Sequence, residues 1–535
     1  MNKITNDLID TLNEDQKDSF NEMQENDRLQ ICLPTGVGKG YLMGVDLRNR
    51  LLNGEDVITI ASHRLILNTQ HMNDLIKRLS DMIGKVRFVF VGSEKYDHSI
   101  LNKNETIKKI LISNSLATDE IIKTCLSQDE LSNIVSEELM KGNKVVVVST
   151  YHSMDKLRKL SIDTLYADEA HTLSSNERFQ QFEKNYRTLT FKNSYFFTAT
   201  PRDCTDDNQP DTFLMNNEEV FGKRIGMTMT DAIQKGYITR PIIHLAVPMK
   251  YGGLLDMDNV RNKIIFIKQT MENHTKLVKE SSAYPDLIEP KLLIKCESVY
   301  IMWEIYHKLL NAGGLDGIDL YAGASKKRNH KEGSSYQKNG IELGKKKHLE
   351  SLIELKDTDK AIVLHVDTLS EGVNVKGFTG IMFLTDKAPS KMKMLQNIGR
   401  GTRVLDIDRD RFEKGEINTS DYSGWVKPNT FVILPVYSPE SRASQDHIAN
   451  TVKDIRDNGG SGVYEVSIGN DISTPSQERP ESGLNPPDFV DPRKRLVEEI
   501  DHQIEELYLN EENYKERMEL NRLTKVQLLE EKLGQ

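Results

Sequence analysis

Short apolar, β-branched runs recur along this chain with helix-favouring or polar segments between them, and that alternation constrains the fold more than any other feature. A first series reads "RLQICLP", "DVITIAS", "KVRFVFVG", "KVVVVST", "IDTLYAD" and "SYFFTATP". After a long polar passage a second begins: "PIIHLAV", "KLLIKCES", "IDLYAGA", "KAIVLHVD", "GIMFLTD" and "TFVILPVYS". Strands joined by long helical connections pair in parallel, with helices covering both faces of the sheet. The pattern predicts two consecutive parallel α/β domains with a boundary near Tyr237 to Pro241. At 535 residues the chain has room for both, since a single core seldom grows past roughly 250 to 300 residues. No short-period repeat is present.

No window offers the roughly 20 uncharged apolar residues of a membrane span. The opening "MNKITNDLID" has no apolar signal-peptide run, so the expected location is cytoplasmic. Cys32, Cys125, Cys204 and Cys296 are far apart and form no C-x-x-C pair, so each reads as a small buried apolar residue. With a formal net charge of −10, any grip on nucleic acid must come from a local basic surface. One candidate is "KKRNHKEGSSYQKNGIELGKKK", which starts at Lys326, Lys327 and Arg328 and reads as a flexible basic loop. A solvated loop with no partner is the alternative.

Residues Asn102 to Met140 form an insert-like helical segment, read as a peripheral solvated helix pair or as a nucleic-acid-facing or regulatory element. Beyond Ser438 the strand pattern weakens. Pro475, Pro480, Pro486, Pro487 and Pro492 mark a linker, and the charged helix-favouring tail carries an apolar stripe at Val497, Ile500, Ile504 and Leu507. That stripe packs back on the chain or docks a protein partner.

The strand "LQICL" runs into "PTGVGKG", where glycines let successive backbone N–H groups face phosphate oxygens. Lys39 would then reach the outer phosphates. The strict GxxxxGK[ST] pattern fails at Leu33 and at Gly40, and Gly40 stands where a hydroxyl would ligate Mg²⁺. A second strand ends in "ADEAH", which puts Asp168 and Glu169 at the carboxyl edge of a parallel sheet, where ligands bind in such folds. Asp168 there can hold Mg²⁺, directly or through water, and Glu169 can orient or deprotonate a water. A helix N-terminus with favourably placed acids is the other reading of that stretch.

Taken together with "FFTATPR", these stretches resemble the motifs of superfamily 2 helicases and translocases, and the resemblance covers roughly Leu12 to Val436. Pro34, Thr35, Gly36, Val37, Gly38 and Lys39 match motif I, with Gly40 beside them, and Asp168 to His171 match motif II. Gln16 sits where the family reads adenine. His63, Arg64 and Gln70 resemble motif Ia, and Thr150 and Ser153 the next strand-gripping motif. Thr198 and Thr200 match motif III, which couples ATP state to nucleic-acid grip. "KLLIKCES" resembles motif IV, and "HVDTLSEGVNVKGF", with Thr368, Glu371, Gly372 and Asn374, resembles motif V. Gln396, Gly399, Arg400, Gly401 and Arg403 match motif VI.

The resemblance implies two tandem RecA-like parallel-sheet domains, 1–238 and 239–440, with a mainly helical extension over 441–535. It implies ATP and Mg²⁺ as cofactors, hydrolysed between the domains. Lys39, Asp168, Glu169, Gln396, Arg400 and Arg403 would be the catalytic set, and a cycle of closure and reopening would drive movement on nucleic acid. DNA is the expected substrate, with RNA or hybrids as the alternative. Motif III reads Thr198-Ala-Thr, motif VI opens on Gln396, and "VFGKRIGMTMTDAIQKGYITRP" resembles a passage of restriction-enzyme motors and phage branch-migrating helicases. "PDLIEPK" superficially matches a nuclease pattern but leads straight into the motif IV strand, so a nuclease would be a separate partner. Water filling the place of the missing hydroxyl at Gly40 predicts a weakened Mg²⁺ dependence rather than inactivity.

Overall fold

The computed structural model describes residues 3–63, 65–92, 104–174, 186–202, 214–246, 248–250, 253–313, 315–324, 335–366, 375, 377–385 and 391–436, with short pieces within 448–453, 466–468 and 502–509. The chain divides into two compact units, Met1–Ala232 and Ile233–Gln535.

The first unit is built on β1 (Arg28–Cys32), β2 (Val57–Ser62), β3 (Val86–Val91), β4 (Ile122–Cys125), β5 (Lys144–Thr150), β6 (Ser161–Asp168), β7 (Thr190–Thr198) and β8 (Lys223–Gly226). They form one sheet in the order β4-β3-β5-β2-β6-β7-β1-β8, and every pair in it is parallel. Val145 to Val148 of β5 are wholly buried, as a strand covered on both faces requires. Each such side chain contributes roughly 1.5–3 kcal/mol of transfer energy. All six runs of the first series are strands.

β4 and β8 were not legible as runs. β4 lies inside the segment read as a helix pair, between helices Glu105–Ser113 and Gln128–Met140. It pairs with β3 at the sheet edge, and Leu131 and Val135 of the second helix enter the core. The segment is therefore partly a strand crossover, and "IIKTC" is too short and too mixed to stand out.

The second unit contains β9 (Arg240–Ala246), a small separate hairpin β10 (Met249–Lys250) and β11 (Gly253–Leu254), β12 (Lys291–Cys296), β13 (Ile318–Ala324), β14 (Ser335–Lys338), β15 (Ile341–Leu343), β16 (Lys360–His365), β17 (Gly380–Leu384), β18 (Asn429–Pro435) and β19 (Val466–Ile468). Its main sheet runs β15-β14-β13-β16-β12-β17-β18-β9-β19. It is parallel except at β13-β14 and β14-β15.

Those antiparallel strands correct the flexible-loop reading of 335–347. The segment is a hairpin followed by helix Lys345–Ile353. Asn339 and Gly340, at φ 48° and 82°, make a two-residue turn with both residues in the left-handed region, which suits the twist of the flanking strands. Tyr336 is buried beneath it. Lys326, Lys327, Arg328 and the rest of 325–334 lie outside the described residues, as do Arg64, Thr368, Glu371, Gly372, Asn374, Cys204 and the stripe positions Val497, Ile500 and Ile504.

Candidate nucleotide site

Three motif-bearing loops of the first unit leave the carboxyl ends of three adjacent parallel strands, β6, β7 and β1. The loop after β1 is tied to its neighbour by Leu33 N–H donating to Thr198 O at 3.1 Å. Gly36 and Gly38 adopt φ of 100° and 97°, and Gly38 caps helix Lys39–Leu52. A Cβ there would be strained and would also meet Gln16 Nε2 at 2.7 Å. Backbone N–H groups at this helix start are the unsatisfied donors that bind phosphate elsewhere.

Gln16 stands at the N-terminal turn of helix Glu14–Glu25, fixed by a reciprocal capping box with Asn13. Its Oε1 accepts from Asn13 N–H at 3.0 Å, and its Nε2 donates to Val37 O at 2.8 Å and Gly38 O at 3.3 Å. The residue expected to read adenine is thus bonded to the phosphate loop itself. Lys39 Nζ donates to Leu33 O at 2.9 Å. Gly40 is exposed, and a Cβ built on it meets nothing within 4 Å.

At the end of β6, Asp168 is buried. Its Oδ1 accepts from Glu169 N–H at 3.0 Å, and its Oδ2 lies 2.9 Å from His71 Nε2. Burial opposes ionisation of both side chains. Even so, the His71 bond and the charges of His71 and Lys39 hold the Asp168 carboxyl below its usual range, and Asp168 in turn raises His71. His71 was not picked out from the sequence, since it follows Gln70 by one residue with no spacing that links it to position 168.

Glu169 has φ 54°, a left-handed conformation that costs a non-glycine residue roughly 1–3 kcal/mol and tends to occur where function requires it. His171 Nδ1 lies 2.9 Å from Thr198 Oγ1 and 3.4 Å from Glu169 Oε2, so motif II is joined to motif III by one imidazole. Thr200 N–H donates to Thr198 Oγ1 at 3.1 Å, while the Thr200 hydroxyl is buried with no partner among the described residues.

The residues expected to hold nucleic acid are less uniform. His63 and Gln70 are half-buried on the β2 side. Thr150 and Ser153 are buried, and Thr150 Oγ1 donates to Ser153 Oγ at 3.2 Å.

Behind the phosphate loop lies a network of paired charge. Asp46, on the same helix as Lys39, accepts from Arg50 Nε at 2.8 Å, Tyr166 OH at 2.5 Å and Gln24 Nε2 at 2.7 Å. Arg50 also donates to Glu55 Oε1, Met23 O and Tyr195 OH. Burial works against the Arg50 charge, but Asp46, Tyr166 and Tyr195 together more than restore it.

In the second unit Gln396 and Arg400 are buried on helix Lys391–Gly401, and Arg403 follows its end. Arg403 Nε is buried without a hydrogen bond among the described residues. Burial and the nearby Arg409 push Arg403 down to about 10.

The residues fit Mg²⁺ through Asp168, whose carboxyl is held below its usual range, and Gly40 has open space around it that water can occupy.

Residues 13–207 match the DEAD/DEAH box helicase family model. No curated protein matches the sequence. Among solved structures the chain is similar to the ATP-dependent Type ISP restriction-modification enzyme LlaBIII bound to DNA, at 14% identity and TM-score 0.56, over 86% of this chain and 31% of that one. It is similar to Mss116p bound to ssRNA and AMP-PNP, at 12% identity and TM-score 0.50, over 94% and 80% of the two chains. It is also similar to S. cerevisiae Dbp5 bound to RNA and ADP BeF3, at 12% identity and TM-score 0.50, over 88% and 93%. The chain spans less than a third of the restriction enzyme's length. Residues 13–207 thus match a DEAD/DEAH box helicase model, in a chain with the tandem RecA-like fold.

Proposed function

We propose that this chain is an ATP-dependent DNA helicase or translocase. The observation that carries the reading is the convergence of the phosphate loop, the Asp168–Glu169 pair and Thr198 at the carboxyl ends of β1, β6 and β7. In this reading the backbone of Pro34 to Gly40 and the Lys39 ammonium bind the phosphates. Asp168 holds Mg²⁺, which when bound neutralises phosphate charge. Glu169 orients the attacking water and takes its proton. Arg400 and Arg403 stabilise the charge that develops on the transferred group, an effect worth up to ~10³–10⁵ in rate for arginine fingers. The His171–Thr198 bond gives the hydrolytic carboxylates a path to the motif that couples ATP to grip. His63, Arg64, Gln70, Thr150, Ser153, Thr368 and Lys326 to Arg328 are the proposed nucleic-acid contacts, and Glu371, Gly372 and Asn374 the further nucleotide contacts.

Gln396, the Thr198-Ala-Thr motif and likeness to a DNA-bound restriction enzyme support DNA; the RNA-bound relatives keep RNA as the competing substrate. Branched DNA, and work in replication, recombination or repair, follow from the resemblance at Val220–Pro241. Gly40 favours a second reading, an ATP-binding clamp or a motor subunit of a restriction or defence assembly with a separate nuclease, in which hydrolysis by the isolated chain is slow. Steady-state ATPase assays with Mg²⁺ and single-stranded, duplex or forked DNA, or RNA, separate these. Stimulation strongest with DNA is expected. No stimulation by any nucleic acid would overturn the motor reading.

A further inference from the structure

Lys427 lies just before β18 and is 1% exposed, a position lysine almost never takes without a partner. Its partners are main-chain carbonyls: Nζ donates to Gly401 O and, at 2.8 Å, to Arg403 O. These are the last carbonyls of the helix that carries Arg400 and of the turn that carries Arg403, groups with no acceptor role left inside the helix. A cation at a helix C-terminus also meets the negative end of the dipole. Around it the turn is pinned twice more: Thr430 Oγ1 donates to Gly401 O at 2.7 Å and Thr239 N–H to Thr402 O at 2.7 Å. Lys427 itself is held by its own N–H, which donates to Asp408 Oδ2 at 2.8 Å, beside Val426 N–H on Oδ1.

We infer that Lys427 is a positioning residue for Arg400 and Arg403, fixing through its ammonium the backbone turn that bears both guanidinium groups. The inference rests on the reading of those arginines as phosphate-directed. Among the described residues no other group bonds both Gly401 O and Arg403 O. The cost of burying an ammonium among Arg403, Lys291, Asp357 and Asp408 would be avoided by an apolar side chain. The ammonium therefore serves placement better than stability.

The test is a double-mutant cycle on the full chain, using nucleic-acid-stimulated ATPase at a temperature where circular dichroism shows every variant folded. Lys427→Met is expected to lower kcat by about 10- to 100-fold, the scale of an ångström-level misplacement, with KM for ATP little changed. In an Arg403→Ala background it should cost less kcat than in wild type, the remainder being the share that runs through Arg400. Equal losses in both backgrounds would overturn the inference, as would a wild-type kcat for Lys427→Met when Arg403→Ala is impaired. A wild-type kcat for Arg403→Ala would instead remove the underlying reading, and this inference with it. Should Lys427→Met not fold, Thr430→Val removes the second bond to Gly401 O, and the same cycle decides with a smaller expected factor.

Discussion

Buried charge is handled in opposite ways in the two units. Behind the phosphate loop, Asp46 and Arg50 share a site in which every strong group is matched: the carboxylate takes three donors and the guanidinium faces carboxylates, a carbonyl and a phenol. At the Arg400–Arg403 turn Arg403 lies near Arg409, and Lys427 lies among Asp357, Lys291, Asp408 and Arg403; Lys427 and Arg403 are both pushed down, by burial first. The first arrangement is complete without a ligand and holds β6, β7 and two helices together. The second leaves Arg403 Nε without a hydrogen bond among the described residues, as the proposed phosphate-directed role would require, whereas the first is a purely structural network.

The sharpest test of that contrast is Arg403→Ala. We expect ATP turnover to fall about 10³-fold or more while the urea midpoint stays level or rises, because an uncompensated buried charge is removed. A fall in both would make this turn another structural network. Asp46→Ala should do the reverse, with a loss of about 3–5 kcal/mol in unfolding free energy from stranding Arg50, and near-normal ATPase in the fraction that remains folded.

The pH response of Lys427 gives a third comparison. Its ammonium is pushed down to about 7 by burial, whereas an unfolded lysine titrates near ~10.4. Between those values the unfolded chain binds more protons, so the contribution of Lys427 to stability rises with pH. Urea unfolding of wild type and Lys427→Met should therefore diverge in favour of wild type from pH 7 to 10. A constant difference would mean that the surrounding Asp357 and Asp408 keep the ammonium charged.

The smallest effect belongs to Gly40→Thr. The site has open space, and replacing a helical glycine should stabilise by a few tenths of a kcal/mol. An added hydroxyl should lower the Mg²⁺ concentration for half-maximal ATPase; an unchanged value would place the metal away from this residue.

The sequence was most readable where function uses the backbone. Each strand of both series was legible from continuous β-branched runs, and the loop glycines and strand-end carboxylates sat at positions their chemistry requires. What escaped was made by tertiary approach. Nothing local joins His71 to Asp168 or Lys427 to Gly401, because each pair joins a helix residue to one at or beside a strand, 97 and 26 residues apart in sequence. The β14–β15 hairpin is different: Asn339-Gly340 between two short runs is a strong local turn signal, and it was masked by the surrounding lysines.

The short strand β19 has a practical meaning for anyone cutting this protein. It is the only neighbour of β9 on the side away from β18 among the described residues. A fragment ending after β18 would uncover the edge of β9 at Ile243 to Leu245, leaving backbone groups there unpaired. Such a fragment would be prone to self-association, so the polar tail works partly as a guard on the sheet beside it.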